Sequence, residues 1–167
     1  MIYFSESPTR KNHMAAVLAL LCGLAGIATF ACANFIDYGA ILQTIGIVFL
    51  MIAVILLSRA LVKYTYCLQK ADADGLDELA VIEQRGQKRT TVCRLLLSDL
   101  KQTDVCTAKT EKVLRRTYHA DRIHSYCLDL FPNRVVYLLF EEDGKRIVLR
   151  LQASEPFMDM LERLISE

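Results

Sequence analysis

The chain has 167 residues, of which 53% are hydrophobic and 23% charged, and its formal net charge is +1. This length suits one ordinary domain plus a small addition, and the near-neutral charge argues against a nucleic-acid partner, since such binders usually carry a clear basic excess. The six cysteines lack the paired spacing of a metal knuckle, so we interpret them as reduced, small apolar residues.

Two long apolar segments lie near the N-terminus. Neither Met14 to Ile36 nor Tyr38 to Ser58 contains Asp, Glu, Lys or Arg. A soluble domain of this size has no interior able to hide two such helices. We therefore predict a cytoplasmic tail over residues 1–13 and transmembrane helices over 14–36 and 38–61. Cleavage of the first segment as a signal peptide is disfavoured because its apolar run is long and a second one follows directly.

The charges that flank these segments predict their orientation. Arg10 and Lys11 precede the first segment, Arg59 and Lys63 follow the second, and the connecting turn carries only Asp37. Because cytoplasmic flanks carry the excess of Lys and Arg, we expect a multi-pass protein of the plasma membrane with both termini in the cytoplasm.

Small residues mark one face of the first predicted helix. Ala15, Ala19 and Gly23 recur every fourth residue, with Gly26 close by, and such spacing allows two helix backbones to approach closely. Their partner is either the chain's own second helix or a helix of another chain, through self-association or a partner protein. The sequence leaves both alternatives open.

The remaining residues, 62–167, predict a cytoplasmic β domain. Val62, Tyr64, Tyr66 and Leu68 alternate with polar residues as in a half-buried strand. Six further strands are predicted at 79–85, 88–97, from 100 to near 106, and at 123–130, 134–142 and 145–152, with an Asp143-Gly144 hairpin turn before the last. Ser154 is placed to cap a C-terminal amphipathic helix whose apolar stripe is Phe157, Leu161, Leu164 and Ile165.

Seven strands followed by one helix resemble the element order of bacterial pleckstrin-homology-like (PH-like) domains that accompany paired transmembrane helices. The stretch from Thr91 to Leu100, where a strand runs into Leu-Ser-Asp-Leu, is similar to theirs. The resemblance implies a seven-stranded barrel or sandwich capped by the C-terminal helix. It also implies a lipid-headgroup role, although the loop that binds phosphoinositides in some PH domains is acidic here, with Asp72, Asp74, Asp77 and Glu78.

No group of residues has the pattern of a catalytic, cofactor or metal site, so we do not expect an enzyme. His119, Asp121, His124 and Cys127 are close in sequence, but residues five apart on a strand point to opposite faces, and we assign them structural or surface roles. A basic membrane or partner surface is the remaining candidate: Arg85, Lys88, Arg89, Arg94, Lys109, Lys112, Arg115 and Arg116. We expect a non-enzymatic interaction or regulatory module with the lipid bilayer and a protein as partners, or a sensor of anionic lipid through these basic loops.

Overall fold

The computed structural model describes residues 1–10, 13–35, 39–71, 75–107 and 118–166. The chain folds into two compact units. One is a helical unit over Lys11–Val62, and the other is a β unit made from Met1–Arg10 together with Lys63–Glu167. The β unit is therefore discontinuous in sequence, because the helical unit is inserted near its N-terminus.

The helical unit contains two long apolar helices, α1 over Met14–Cys32 and α2 over Gly39–Ala60, with a 3₁₀ turn at Ala33–Phe35 after α1. Both are long and apolar enough to cross a membrane, and most of their large apolar side chains are exposed. A helix that is hydrophobic all round has no polar face to turn toward water. The helices thus agree with the two predicted spans, although α1 ends four residues before the predicted limit.

The two helices pack against each other through small residues. Ala15 and Ala19 of α1 are buried, and a Cβ placed on Gly26 would lie 2.9 Å from the Leu50 Cγ and 3.0 Å from the Gly46 carbonyl oxygen. Such distances leave no room for a side chain, so glycine permits this close approach. At Gly23 a Cβ would instead meet only the Ala53 Cβ, at 4.0 Å.

The described part of the β unit has eight strands, one more than the sequence analysis predicted. They are β1 Ile2–Glu6, β2 Val62–Lys70, β3 Asp77–Arg85, β4 Lys88–Leu96, β5 Leu100–Thr107, β6 Arg122–Tyr126, β7 Arg134–Glu142 and β8 Lys145–Leu151. A C-terminal helix, α3, follows over Glu155–Ser166. The additional strand is β1, which lies within the segment that we had assigned to an N-terminal tail.

β1 pairs antiparallel with β2, bringing Glu6 opposite Tyr66 and Ile2 opposite Gln69. The Ser7 and Thr65 hydroxyls lie 2.9 Å apart just beyond the end of this ladder. Phe4 packs on the main core from β1. The assignment of residues 1–13 to a tail alone was therefore wrong for Ile2–Glu6, because their partner strand is separated from them by the whole helical unit.

The strands form two four-stranded sheets instead of one closed barrel. Sheet A has the order β1-β2-β3-β4, and sheet B has the order β5-β7-β8-β6. A 3₁₀ turn at Leu97–Asp99 carries the chain from β4 in sheet A to β5 in sheet B. β6 pairs parallel with β8 and ends at Tyr126, four residues before the predicted limit; beyond it, the Asp129 amide donates to the Gln152 side chain at 3.2 Å.

Helix α3 contributes Phe157, Leu161 and the partly buried Leu164 to the core as the sequence predicted, whereas Ile165 near its C-terminal end is exposed. Phe157 and Leu161 are fully buried, and the Ser154 hydroxyl accepts a hydrogen bond from the Phe157 amide at 3.4 Å, as an N-cap does. The Phe157 ring makes edge contacts with the rings of Phe4 and Tyr66, at centroid distances of 6.1 and 6.0 Å. The core therefore joins the first strand, the second strand and the last helix.

The hairpin turn between β7 and β8 is the local feature that the sequence predicted most sharply. Asp143 has a φ of 50° and Gly144 a φ of 73°. Two consecutive positive φ angles match the right-handed twist of a two-residue hairpin, and Asp-Gly tolerates them well. The turn sets the register in which Glu142 lies opposite Lys145 and Leu138 lies opposite Leu149.

Candidate functional site

The β3–β4 hairpin carries four of the basic residues that the sequence singled out. Arg85 ends β3, Lys88 and Arg89 begin β4, and Arg94 lies farther along β4. All four side chains are exposed. Lys109, Lys112, Arg115 and Arg116 lie outside the described residues, so the predicted basic surface can be followed only on this hairpin.

Strand order and pairing place Arg85, Lys88 and Arg89 at the end of sheet A where β2 starts. β2 and β3 are neighbours in sheet A, and their six-residue connection is too short for a parallel crossover, so they run antiparallel. The Gln69 amide donates to the Glu78 carboxylate at 2.5 Å, near the other end of the pair. Counting back along β2 from Gln69 and forward along β3 from Glu78 brings Lys63 level with the last residues of β3.

Four cations therefore lie at one end of sheet A, with Lys63 and Arg89 on one face of the sheet and the directly paired Arg85 and Lys88 on the other. We call this cluster the basic end. β1 finishes at the same end, because it is antiparallel to β2 and Glu6 lies opposite Tyr66. The two chain segments that connect with the helical unit, after Glu6 and before Val62, therefore both leave sheet A at its basic end.

One acidic side chain partly neutralises this cluster. The Glu83 carboxylate forms an ion pair with the Arg85 guanidinium, and Glu83 is the less exposed partner. In the described part of the chain, no ion pair holds Lys63, Lys88 or Arg89, and their side chains are exposed to solvent. The basic end thus keeps three cations that can interact with an external anion.

Arg94 does not belong to the basic end. It lies opposite Ala80, several residues away from the Arg85–Lys88 turn. Its exposed position on β4, the outermost described strand of sheet A, leaves it on the same sheet but away from the start of β2.

A tyrosine network, which the sequence analysis did not identify, joins the two sheets. The Tyr66 hydroxyl donates to the Tyr126 carbonyl at 2.6 Å and accepts from the Gln152 amide at 3.2 Å. Burial raises the pKa of Tyr66 well above its ordinary value, against the opposing effect of the hydrogen bond from Gln152. The only sequence signal was the position of Tyr66 on the apolar face of β2, which shows burial but not the two partners.

Tyr126 connects this network with Cys93 of β4. Burial raises the pKa of the Cys93 thiol, and the hydrogen bond from Tyr126 opposes that rise. Burial is the main cause of the raised pKa of Tyr126, and the nearby Cys93 raises it further. Both groups are therefore held in their neutral forms, which suits a structural contact between sheets better than a thiolate nucleophile.

The histidine-containing segment forms separate contacts and not one pocket. His124 stacks on Tyr126 with ring centroids 6.2 Å apart, and the Asp121 carboxylate accepts from the Arg146 amide at 2.9 Å. The Cys127 thiol lies 3.6 Å from the Arg150 carbonyl oxygen. Among the described residues, no group of three or more His, Cys, Asp or Glu is placed to hold a metal ion.

A shallow cleft on sheet B has a volume of about 230 Å³. Its lining residues are Lys101, Gln102, Tyr118, Leu139, Glu141 and Arg146. Glu141 offsets the two cations, and the Tyr118 hydroxyl is already donated to the Asp104 carboxylate. The cleft therefore presents mixed charge without a concentrated donor set for one ligand.

Comparisons of this chain with protein-family models, with curated proteins and with solved structures found no match.

Proposed function

We propose that this chain is a membrane-anchored, non-enzymatic interaction module that holds a PH-like β domain at the cytoplasmic face of the plasma membrane. The main support for this proposal is that two apolar helices are inserted between the paired strands β1 and β2. An anchor inserted in this way is attached to the domain by two chain segments instead of one.

Strand pairing supports the proposed topology independently of the flanking charges. β1 precedes α1 and β2 follows α2, yet the two strands share one ladder. Strands on opposite sides of a bilayer cannot exchange backbone hydrogen bonds, so two membrane-spanning helices must return the chain to its starting side. The positive flanks of the helices favour the cytoplasm as that side.

The chemistry of the β unit supports the proposal of an interaction role. Its most strongly perturbed side chains, Tyr66, Tyr118 and Tyr126, have raised pKa values because they are buried, and each forms a hydrogen bond within the domain. They therefore stabilise the fold and leave the exposed strands and charged residues for recognition. The proposed partner is a protein, either free in the cytoplasm or part of a neighbouring membrane complex.

The anchoring part of the proposal is tested by extraction. Membranes that contain the full chain are washed with alkaline carbonate, and a variant in which a short linker replaces residues 9–62 serves as the comparison. The full chain should stay in the membrane pellet and the variant in the supernatant. Release of the full chain by carbonate would contradict a membrane-spanning hairpin.

The interaction part is tested by cross-linking in intact membranes, followed by purification in mild detergent and mass spectrometry. Cross-links to one protein should recur in replicate preparations and map to residues of the β unit. Cross-links confined to the helices would assign recognition to the membrane segment, and a chain that cross-links only with itself would contradict an interaction module for other proteins.

A further inference from the structure

The basic end of sheet A is the feature of the domain that the proposed function does not yet use. It combines exposed Lys63, Lys88 and Arg89 with the ion-paired Arg85. These residues come from β2, β3 and β4, and strand order and pairing place them at the same end of the sheet. Since several strands contribute, the cluster depends on the fold and is not a simple run of charges in the sequence.

Chain connectivity determines what this cluster can meet. Only Leu61 separates Ala60, the last residue of α2, from Val62, the first residue of β2. Consecutive Cα atoms are about 3.8 Å apart, so a strand that starts two residues after a membrane-spanning helix starts close to the headgroup layer. Lys63 is the next residue along that strand.

We propose that the basic end contacts the anionic lipid headgroups of the membrane that holds the hairpin. This inference rests on the proposed anchoring of the chain. Cytoplasmic leaflets carry a negative surface potential that falls off within a Debye length, so only cations near the surface are attracted. The occupant is the lipid surface itself, because the basic end lies where the chain enters from the helices.

The contact restricts the orientation of the domain. Two chain segments already tether sheet A at this end, and attraction of three unpaired cations adds a third, salt-sensitive attachment. With the basic end against the headgroups, the opposite end of sheet A, which includes the exposed Lys70, remains available to a cytoplasmic partner. Lipid composition thereby influences which surface of the β domain faces the cytoplasm.

The test compares lysine reactivity in the full chain. The protein is reconstituted in nanodiscs of phosphatidylcholine alone, or of phosphatidylcholine with phosphatidylglycerol, and treated with a neutral acetylating reagent. Mass spectrometry then gives the acetylation rate of each lysine. Lys63 and Lys88 report on the basic end, while Lys70 and Lys101 serve as internal controls on exposed positions elsewhere.

We expect Lys63 and Lys88 to react several-fold more slowly in the anionic nanodiscs, with Lys70 and Lys101 unchanged. The difference should disappear in high salt, because screening shortens the range of the attraction. Equal rates at Lys63 and Lys88 in the two lipid compositions would overturn the proposal, as would equal slowing at the control lysines.

Two variants test whether the protection depends on the charges of the basic end. R85Q/R89Q removes the unpaired Arg89 and the ion-paired Arg85 and leaves both reporter lysines, so the association that protects them should weaken by at least about fivefold, the loss expected for one unpaired charge. R94Q/R122Q removes two exposed arginines from other positions and should leave the protection intact. Equal loss of protection in both variants would contradict a localised headgroup contact.

A final control distinguishes a contact with lipid headgroups from a binding site for a soluble anion. Inorganic phosphate added to phosphatidylcholine nanodiscs should leave the rates at Lys63 and Lys88 unchanged. Slowing of these residues by phosphate alone would assign a soluble-anion site and overturn the lipid proposal. Failure of the chain to enter nanodiscs at all would be a failure of the proposed anchoring and is recognised by its elution without lipid.

Discussion

The Glu6 carboxylate accepts a hydrogen bond from the Ser154 hydroxyl at 2.9 Å, across a separation of 148 residues. The Ser154 amide also approaches the same oxygen, at 3.3 Å. Because the Ser154 hydroxyl in turn accepts from the Phe157 amide, the first strand of the chain supports the N-cap of its last helix. The segment before the two apolar helices thus belongs structurally to the β unit that continues after them.

The first prediction concerns this contact. Glu6→Ala removes the acceptor and should destabilise the β unit by about 1.5–3 kcal/mol, since hydrogen bonds to charged groups are worth about that much. Near-UV circular dichroism of tyrosine follows the β unit during denaturation, because every tyrosine except Tyr38 lies outside the helical unit. Glu162→Ala, at an exposed position of α3, is the matched control and should change little. Equal stability of the two variants would contradict a role for Glu6.

The second prediction concerns the contribution of β1 to folding. Residues 63–167 alone lack the partner strand of β2, the Phe4 ring against Phe157 and the Glu6 acceptor. Residues 1–8 joined to 63–167 by about four Gly/Ser residues restore all three, because the Ser7 and Thr65 hydroxyls already lie 2.9 Å apart. The joined variant should be monomeric with the higher melting temperature. Equal melting temperatures would show that β1 does not stabilise the domain.

The third prediction uses pH. Burial keeps the Tyr66 hydroxyl protonated in the folded domain, while an exposed tyrosine in the unfolded chain ionises near its ordinary pKa of about 10. The unfolded state then binds fewer protons than the folded state, so stability is intact below about pH 10 and falls above it, by about 1.4 kcal/mol per pH unit for this group. Tyr66→Phe should reduce that slope in denaturation curves measured between pH 9 and about 11. An unchanged slope would contradict the burial of an unionised hydroxyl.

The same substitution has an effect at neutral pH. Tyr66→Phe leaves the Tyr126 carbonyl and the Gln152 amide without the hydroxyl that joins them. Because a buried polar group without a partner costs about 1–3 kcal/mol, the variant should lose stability although the ring is retained. The tyrosine network therefore has two separate signatures, a lower stability at pH 7 and a weaker dependence on alkaline pH.

The fourth prediction compares two glycines of α1. Gly26→Ala places a Cβ 2.9 Å from the Leu50 Cγ and 3.0 Å from the Gly46 carbonyl oxygen, so the Leu50 side chain and the α2 backbone must shift. Gly23→Ala meets only the Ala53 Cβ at an ordinary 4.0 Å and is the matched control. Thermal denaturation in mild detergent, followed by far-UV circular dichroism, should show a loss of stability for Gly26→Ala alone. Equal effects would contradict this packing and favour a helix of another chain as the partner of the small residues.

Local patterns were sufficient to predict much of this fold. Ile147, Leu149 and Leu151 alternate along β8 and pack on the core as expected, and Ser154 caps α3 where its sequence places an N-cap. These features depend on neighbours within a few residues, so a single sequence contains their cause. The two apolar helices are predictable for the same reason.

Long-range pairing was the part that the sequence did not reveal. Ile2–Glu6 is only five residues long and precedes charged flanks, so it resembles a tail until β2 is known to pair with it. The basic end has the same origin, because Lys63 and Lys88 are brought to one end of sheet A only by the pairing of β2, β3 and β4. Nothing in their local sequence indicates that proximity.

We propose that the two apolar helices form a membrane-spanning hairpin with both termini, and hence the whole β unit, in the cytoplasm. Site-directed labelling tests it most directly: single reporter cysteines are introduced as T9C, D37C or S166C in a chain whose native cysteines are replaced, and intact cells are treated with a membrane-impermeant maleimide. Position 37 should react in intact cells, whereas positions 9 and 166 should react only after lysis. Labelling of position 9 or 166 in intact cells would contradict this topology. Labelling of only one of the two would place β1 and β2 on opposite sides of the membrane, where they could not pair.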